Sequence, residues 1–300
     1  MKKNKVPKIK SSSNDKVFDI SLIIIAIIGI IVVAYPLYFI IIASISDPSA
    51  VASGQTLLLP KNITFDGYKE LFKTPQIWVG YRNTIIYTVL GTFIGLAVNI
   101  PVGYALSRKD LVGRKLLTWF YMITMFFSGG LIPTFLTVKE LGFYDNFWVM
   151  VLPFSVSVYN IIVAKSFFQS NLPEELWEAA KIDGCSNIRY FIQIVLPLSK
   201  AIIAVIGLWT AVGMWNSYFN ALIYLRDESL YPLQLILRNI LITNQMQSAM
   251  GTGEAAQIAI RNANLMRYAV IIISTAPIMC VYPFVQKHFN KGIMVGSIKG

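Results

Sequence analysis

The chain has 300 residues, 55% of them hydrophobic and only 14% charged, with 26 Lys and Arg against 15 Asp and Glu. A soluble domain carries about 25% charged residues, so this composition excludes an ordinary apolar core inside a polar shell. The basic excess leaves three explanations: nucleic acid, an anionic membrane surface, or the sidedness of a membrane-spanning chain.

The apolar residues gather into six runs free of Asp, Glu, Lys and Arg: 20–45, 83–106, 116–138, 147–164, 201–225 and 268–285. A helix rising ~1.5 Å per residue needs about 20 apolar residues to cross a hydrocarbon core of roughly 30 Å. The runs have 18 to 26 residues, which predicts an all-α membrane protein with six transmembrane helices. The first run follows a Lys-rich start, as a signal peptide does. Its 26 residues are too long for a signal-peptide core, and no clean small-x-small site follows, so it reads as an uncleaved span.

Counting basic residues on alternate sides orients the chain. Segments 1–19, 107–115, 165–200 and 286–300 hold 17 Lys and Arg, whereas 46–82, 139–146 and 226–267 hold 9. The positive-inside bias predicts both termini in the cytoplasm. The organisation is then a basic tail, 1–19, a six-span domain, 20–285, and a cytoplasmic tail, 286–300. No nucleic acid is implied, because Lys2, Lys3, Lys5, Lys8 and Lys10 have no interleaved aromatics and sit just before a span.

In the second run Gly91 and Gly95 share a helix face, and close packing is expected there; Ser128-Gly129-Gly130 in the third is read the same way. Outside, segment 46–82 with Leu57-Leu58-Leu59-Pro60 is too apolar for a tether and reads as a re-entrant or partner-contacting element. Tyr231 to Leu241 reads as an amphipathic helix lying outside. No Gly-x4-Gly-Lys-Ser/Thr loop occurs and no run contains a charge, which argues against an ATPase, a proton relay or an ion-coupled carrier in this chain. Cys185 and Cys280 read as unpaired thiols, and His288 has no second ligand near it, so no metal or other cofactor is expected.

The segment between runs four and five is the most specific. Over residues 171–197 it reads as two short helices: Asn171 and Glu174 as a capping box, Pro173 in the first turn, Gly184 as a left-handed stop, Ser186 as the next cap and Pro197 as a break. Leu176, Trp177, Ile182, Ile188 and Phe191 are apolar and must be covered by the bilayer, the protein's own helices or a partner.

Glu178-Ala179-Ala180, Gly184, Ile194 and Leu196-Pro197, at their fixed spacing, resemble the EAA loop of ABC importer permeases. Leu141 to Asn146 before Leu152-Pro153, Phe167-Phe168, Ile182-Asp183-Gly184 and Trp215-Asn216 resemble the carbohydrate-specific, MalG-like type. The resemblance implies a type I ABC importer permease fold with a cytoplasmic EAA coupling helix, in a bacterial plasma membrane. It implies a second homologous permease, a dimer of ATP-binding subunits that hold ATP and Mg, and an extracellular solute-binding protein that delivers a sugar. By the same resemblance Glu178 makes polar contact with the ATPase, Ala179 and Ala180 form a close-packed face, and Gly184 provides the turn; Asp183 either serves the coupling or caps locally. Leu196 and Pro197 complete the motif.

Sugars are held by amides and aromatic faces. Candidates of that kind within runs four and five are Tyr159, Asn160, Trp209, Trp215, Asn216, Tyr218, Phe219 and Asn220, with Trp209 and Asn216 seven apart and expected on one face. The other reading of these amides is that they hold helices together or meet the partner permease. A permease for a non-sugar solute and a non-transporting membrane scaffold are the alternatives.

Overall fold

The computed structural model describes residues 13–250, 266–280 and 283; the start of the basic tail, Arg261 of segment 226–267, His288 and the C-terminal tail lie outside the described residues. Every regular element among those described is helical. Helix α1, Ser13–Ser44, begins seven residues before the first apolar run, because Asp15 in its first turn complements the positive end of the helix dipole. Its most apolar stretch is not buried within the chain; burial begins only in its last turn, at Ile42, Ala43 and Ser44. Short helices α2 (Pro48–Ala52) and α3 (Asp66–Lys73) follow. Between them Leu57, Leu58 and Leu59 are exposed, and the Tyr35 hydroxyl donates to the Leu57 carbonyl at 3.2 Å.

Helix α4, Pro75–Ser107, is the axis of the chain. Gly80, Gly91, Gly95 and Gly103 fall on a face that admits neighbours to backbone distance. A Cβ at Gly91 would stand 2.9 Å from Met214, at Gly95 2.7 Å from the Ser155 carbonyl, and at Gly103 2.5 Å from the Ala164 Cβ. The close packing expected at Gly91 and Gly95 is therefore present. On the same face the buried amide of Asn83 donates to the carbonyls of Ser229 and Tyr231 at 2.7 and 3.0 Å, and the Thr84 hydroxyl accepts from the Leu233 amide at 2.8 Å.

The third run is broken. Helices α5 (Arg114–Phe126) and α6 (Leu131–Glu140) meet at 116°. Ser128-Gly129-Gly130 forms the corner instead of a packing face: Gly130 has φ +86° and nothing lies within 4 Å of where its Cβ would be. The fourth run is also not one helix. Phe147–Met150 is a single 3-10 turn, Pro153 interrupts, and α7 begins only at Val158, with the Ser157 hydroxyl accepting from the Asn160 amide, and runs to Asn171.

Helix α8, Glu174–Ile182, is followed by α9 (Asn187–Tyr190), a π-helical turn at Phe191–Val195 and α10 (Leu196–Leu198). The chain then turns by 81° into α11, Lys200–Trp215. Pro197 does not itself end the helix: it lies inside α10, and the turn falls at Ser199, whose amide donates to the Leu196 carbonyl at 3.1 Å. Asn216 and Ser217 separate α11 from α12, Tyr218–Tyr224.

Helix α13, Leu233–Met250, includes most of the segment read as an amphipathic helix, and its apolar side is covered by the chain itself. Leu233, Leu235, Ile236 and Leu237 are all buried, because Asn83 and Thr84 anchor its start and the side chains pack against α4. Helix α14, Met266–Cys280, covers the described part of the sixth run and packs by Ala269, Val270 and Ile273 against Leu237 and Trp215. Among the described residues only α1 and α4 are single helices long and apolar enough to cross a bilayer; the bent pairs α5–α6 and α9–α11 qualify as two more if each is one span.

Candidate functional site

Two places bring sequence-selected residues together. The first is a cavity of about 380 Å3 between α7 and α11, within the usual range of small-ligand pockets. Asn99 of α4 is fully buried and positions its floor: its carbonyl accepts from the Ser157 amide at 3.1 Å and its amide donates to the Ser155 carbonyl at 3.4 Å. That fixes the turn from which α7 starts and aims Tyr159 and Asn160 inward. Thr210 donates to the Ile206 carbonyl and accepts from the Asn160 amide at 3.4 Å. The Tyr159 and Trp209 rings lie 5.6 Å apart at 39°, yet remain 54% and 41% exposed. They present aromatic face to the opening instead of to the core.

Tyr159, Asn160, Trp209 and Asn220 line this cavity with Ser155, Ser157, Thr210 and Ser217, and no charged side chain lines it. Trp215 and Asn216 do not belong to it. Trp215 is buried against α14, its indole donating to the Ser274 carbonyl at 2.9 Å. Asn216 ends α11 and bonds back to the Val212 carbonyl at 2.9 Å. The seven-residue spacing from Trp209 loses its meaning because the helix stops. Asn99, Ser155 and Ser157 were missed. Their signal is the four-residue ladder of polar and small residues at 91, 95 and 99, which marks one face of α4.

The second place is the surface made by α8 and its neighbours. Asn171 does not cap α8. It closes α7, its amide donating to the Phe167 carbonyl at 3.0 Å, and Pro173 holds the N-cap position with no side-chain bond. The carboxylates of Glu174 and Glu175 in the first turn are favourably placed on the helix dipole. At the other end Gly184 has φ +72°; its amide donates to the Lys181 carbonyl at 3.1 Å and that of Cys185 to Ala180 at 2.9 Å. This paired pattern is a Schellman stop, with Asp183 as the C-cap residue. The Ser186 hydroxyl accepts from the Arg189 amide, as its sequence position implies.

Trp177 anchors α8 from below. Its ring meets Tyr190 edge-on at 5.0 Å, and the Arg108 guanidinium lies 4.5 Å above it. Burial is the largest influence on Arg108 and depresses it, but its hydrogen bonds to Asp110 together with its electrostatic interactions with Tyr104, Asp110 and Tyr190 hold it above its ordinary value; the Asp110 carboxylate is held below the usual range first by the hydrogen bonds from Arg108. Lys109 and Glu174 form an ion pair. Ala180 is buried under α8, whereas Glu178, Ala179 and Asp183 face outward, so the two alanines do not share a face. Ile182 and Ile188 are 87% and 74% exposed and Leu176 is also uncovered, while Trp177 and Phe191 pack inward. Leu196 is half-buried and Pro197 exposed. Cys185 is a free, half-buried thiol and Cys280 a free, exposed one. No group of His, Cys, Asp and Glu among the described residues could hold a metal ion.

Residues 76–295 match the family of binding-protein-dependent transport system inner membrane components. Among the relatives, Protein LplC of Bacillus subtilis (strain 168) is 41% identical over 286 residues, covering 95% of this chain and 96% of the relative. The polygalacturonan/rhamnogalacturonan transport system permease protein YtcP of the same organism is 39% identical over 290 residues, covering 95% and 99%. A crystal structure of a bacterial ABC transporter involved in the import of the acidic polysaccharide alginate superposes with a TM-score of 0.84 at 32% identity, over 94% of this chain and 100% of that one. The family match over residues 76–295 and the relatives matched over nearly the whole length make this chain a member of the family of binding-protein-dependent transport system inner membrane components.

Proposed function

We propose that the chain is the membrane-spanning permease subunit of an ATP-driven sugar importer, that it forms half of the translocation path with a second homologous permease, and that its substrate is a uronate-bearing oligosaccharide. The observation that carries the sugar reading is the Tyr159–Trp209 pair, two exposed ring faces beside the hydroxyls and amides of Ser157, Asn160 and Asn220. Polygalacturonan and alginate, the acidic glycans of two relatives, support the acidic class. So does Arg238: it pairs with no carboxylate among the described residues and lies 5.9 Å from the ring of Tyr218, the neighbour of Ser217 at the cavity.

The chain crosses the bilayer six times with both termini cytoplasmic, at about 20–45, 83–106, 116–138, 147–164, 201–225 and 268–285, flanked by tails 1–19 and 286–300. The broken helices are tolerated at membrane depth where they are buried in protein or line a water-filled path. Helix α8 is the coupling helix. Leu176, Ile182 and Ile188 supply its exposed apolar contact, Glu178 and Asp183 its polar contact, and Ala179 its close approach to a separate ATPase that binds ATP and Mg. Ala180, Gly184, Leu196 and Pro197 hold its shape. The ATPase dimer, closing on ATP, draws two such helices together and tips the permease pair outward-facing, so that the differential contact energy of ATP shifts a two-state equilibrium. An external binding protein delivers the sugar.

The test is calorimetry of the cognate binding protein against neutral and uronate oligosaccharides, then ATPase assay of the reconstituted complex with the loaded binding protein. Stimulation by an oligogalacturonate supports the reading. Stimulation only by neutral sugars removes the acidic class, and response to a peptide or amino acid with no response to any carbohydrate removes the sugar assignment.

A further inference from the structure

A second cavity, of about 220 Å3, opens where α4, α5, α7 and α9 converge beneath α8. Ser107, Arg108, Lys109, Arg114, Gln169 and Tyr190 are among the residues that line it. Its cations exceed its anions. Asp110 engages Arg108, and Glu174 engages Lys109. Arg114 and, one turn along α7 from Phe168, Lys165 have no carboxylate partner among the described residues; Arg114 has only a 3.5 Å contact to the Arg108 carbonyl. Burial, and then the charge on Arg114, lowers Lys165 from its ordinary value. Two unneutralised cations beside a polar cavity create a site for an anion that can accept several hydrogen bonds.

The surface beyond Arg114 is apolar. Leu116, Trp119, Phe120, Ile123, Phe126 and Phe127 are all exposed and recur at helical spacing along α5. A free inorganic anion has no use for that stripe, whereas an amphiphile matches both halves. Basic pockets between membrane helices on the cytoplasmic side are known to take anionic headgroups.

We propose that this cavity binds the phosphoryl headgroup of an anionic phospholipid of the cytoplasmic leaflet, with its acyl chains along the exposed face of α5. The inference rests on the cytoplasmic placement of residues 107–115 proposed above. Through the Lys109–Glu174 pair and the stacking of Arg108 on Trp177, the lipid touches the same residues that hold α8.

The experiment uses the whole complex, with partner permease and ATPase, in nanodiscs of equal parts phosphatidylglycerol and phosphatidylcholine. Native mass spectrometry reads which lipid is retained. The wild-type complex retains phosphatidylglycerol preferentially, and Arg114→Gln or Lys165→Gln each reduces that preference about fivefold, while Arg114→Lys keeps it. Inorganic phosphate, added in excess, leaves the retained lipid in place. Equal retention of the two lipids, or an undiminished preference in both Gln variants, overturns the proposal. Displacement by inorganic phosphate makes the ligand a free anion and overturns the lipid as its source. In a chain carrying Cys185→Ser and Cys280→Ser, Ser107→Cys is labelled by a membrane-impermeant reagent from the cytoplasmic side; labelling only from the opposite side removes the placement, separately from lipid retention.

Discussion

Replacing Gly184 by Val tests the coupling role of α8 with the least collateral damage. A Cβ at this position meets nothing within 4 Å, so the substitution introduces no clash and its whole cost is in the backbone. Holding an L-residue at φ +72° costs about 1–2 kcal/mol, and more for a β-branched one. Leaving that conformation breaks the hydrogen bonds donated by the Gly184 amide to the Lys181 carbonyl and by the Cys185 amide to the Ala180 carbonyl, at ~0.5–1.5 kcal/mol each. The two costs are comparable and both are small, so Gly184→Val does not unfold the protein. It moves the chain out of the left-handed region and re-aims Cys185 to Tyr190 relative to α8. We expect normal membrane abundance by immunoblot and a drop of about tenfold, the equivalent of ~1.4 kcal/mol, in ATPase activity stimulated by the loaded binding protein. Gly184→Asn, which tolerates the left-handed region, retains most of that activity. Full stimulation in the Val variant refutes the coupling assignment. Equal loss in the Val and Asn variants refutes the backbone argument and leaves side-chain volume at a contact as the cause.

Trp209→Ala removes one ring of the Tyr159 pair; at about 0.5–1.5 kcal/mol per aromatic contact, the half-saturating concentration of loaded binding protein rises roughly three- to tenfold in the ATPase assay, with thermal stability nearly unchanged. Gly103→Leu drives a side chain into Ala164 and the Ile161 carbonyl; it costs on the order of 1–3 kcal/mol, seen as a lower melting temperature in detergent, and Ala164→Gly restores part of it. The Asp145 carboxylate accepts from the amides of Asp227 and Arg226 at 2.9 and 2.7 Å and is held below the ordinary carboxylate range by them. A depressed folded-state pKa stabilises above the unfolded value, near 3.9, and that contribution disappears as pH falls through the folded value. Wild type therefore melts above Asp145→Asn at neutral pH, and the two curves converge only in acid below about pH 4. Asn also accepts the positive φ of 51° at this position, so the comparison isolates the charge.

The sequence was most legible where a residue's local chemistry decides its conformation. Gly184 and Ser186 could be assigned to a helix stop and a cap because those roles depend on neighbours within four residues. Gly91 and Gly95 were legible for a related reason, since one helix face is fixed by spacing alone. Breaks within apolar runs were not legible. Hydropathy registers that 116–138 and 147–164 avoid water, and it is silent on whether the backbone stays straight. Gly130 is a packing glycine or a corner according to what surrounds it, and nothing surrounds it. Asn171 illustrates the competition at short range. Its amide had two backbone targets, and the last turn of α7 won over the first turn of α8 because Pro173 had already fixed the chain between them. Trp215 and Asn216 were chosen by residue type, yet type does not separate an indole that faces a cavity from one that bonds to the next helix.

The two sites are joined by one rigid element. Tyr159 and Asn171 occupy the same helix, α7, twelve residues apart, which is roughly 18 Å at ~1.5 Å per residue. Only Leu172 and Pro173 separate that helix from α8. Helix α7 is held to α4 at its start by Asn99 beneath Ser155 and Ser157, at its middle by Ala164 lodged over Gly103, and in its last turns by Phe168, whose ring meets Tyr104 edge-on at 5.6 Å. A displacement of α8 therefore has little slack in which to dissipate before it reaches α7, and a shift of α7 against α11 changes the separation of the Tyr159 and Trp209 rings. Packed helices of this kind slide between discrete arrangements instead of deforming continuously. The close glycine contacts of α4, which look like stability devices alone, thereby become the bearing on which a displacement of α8 is felt at the cavity.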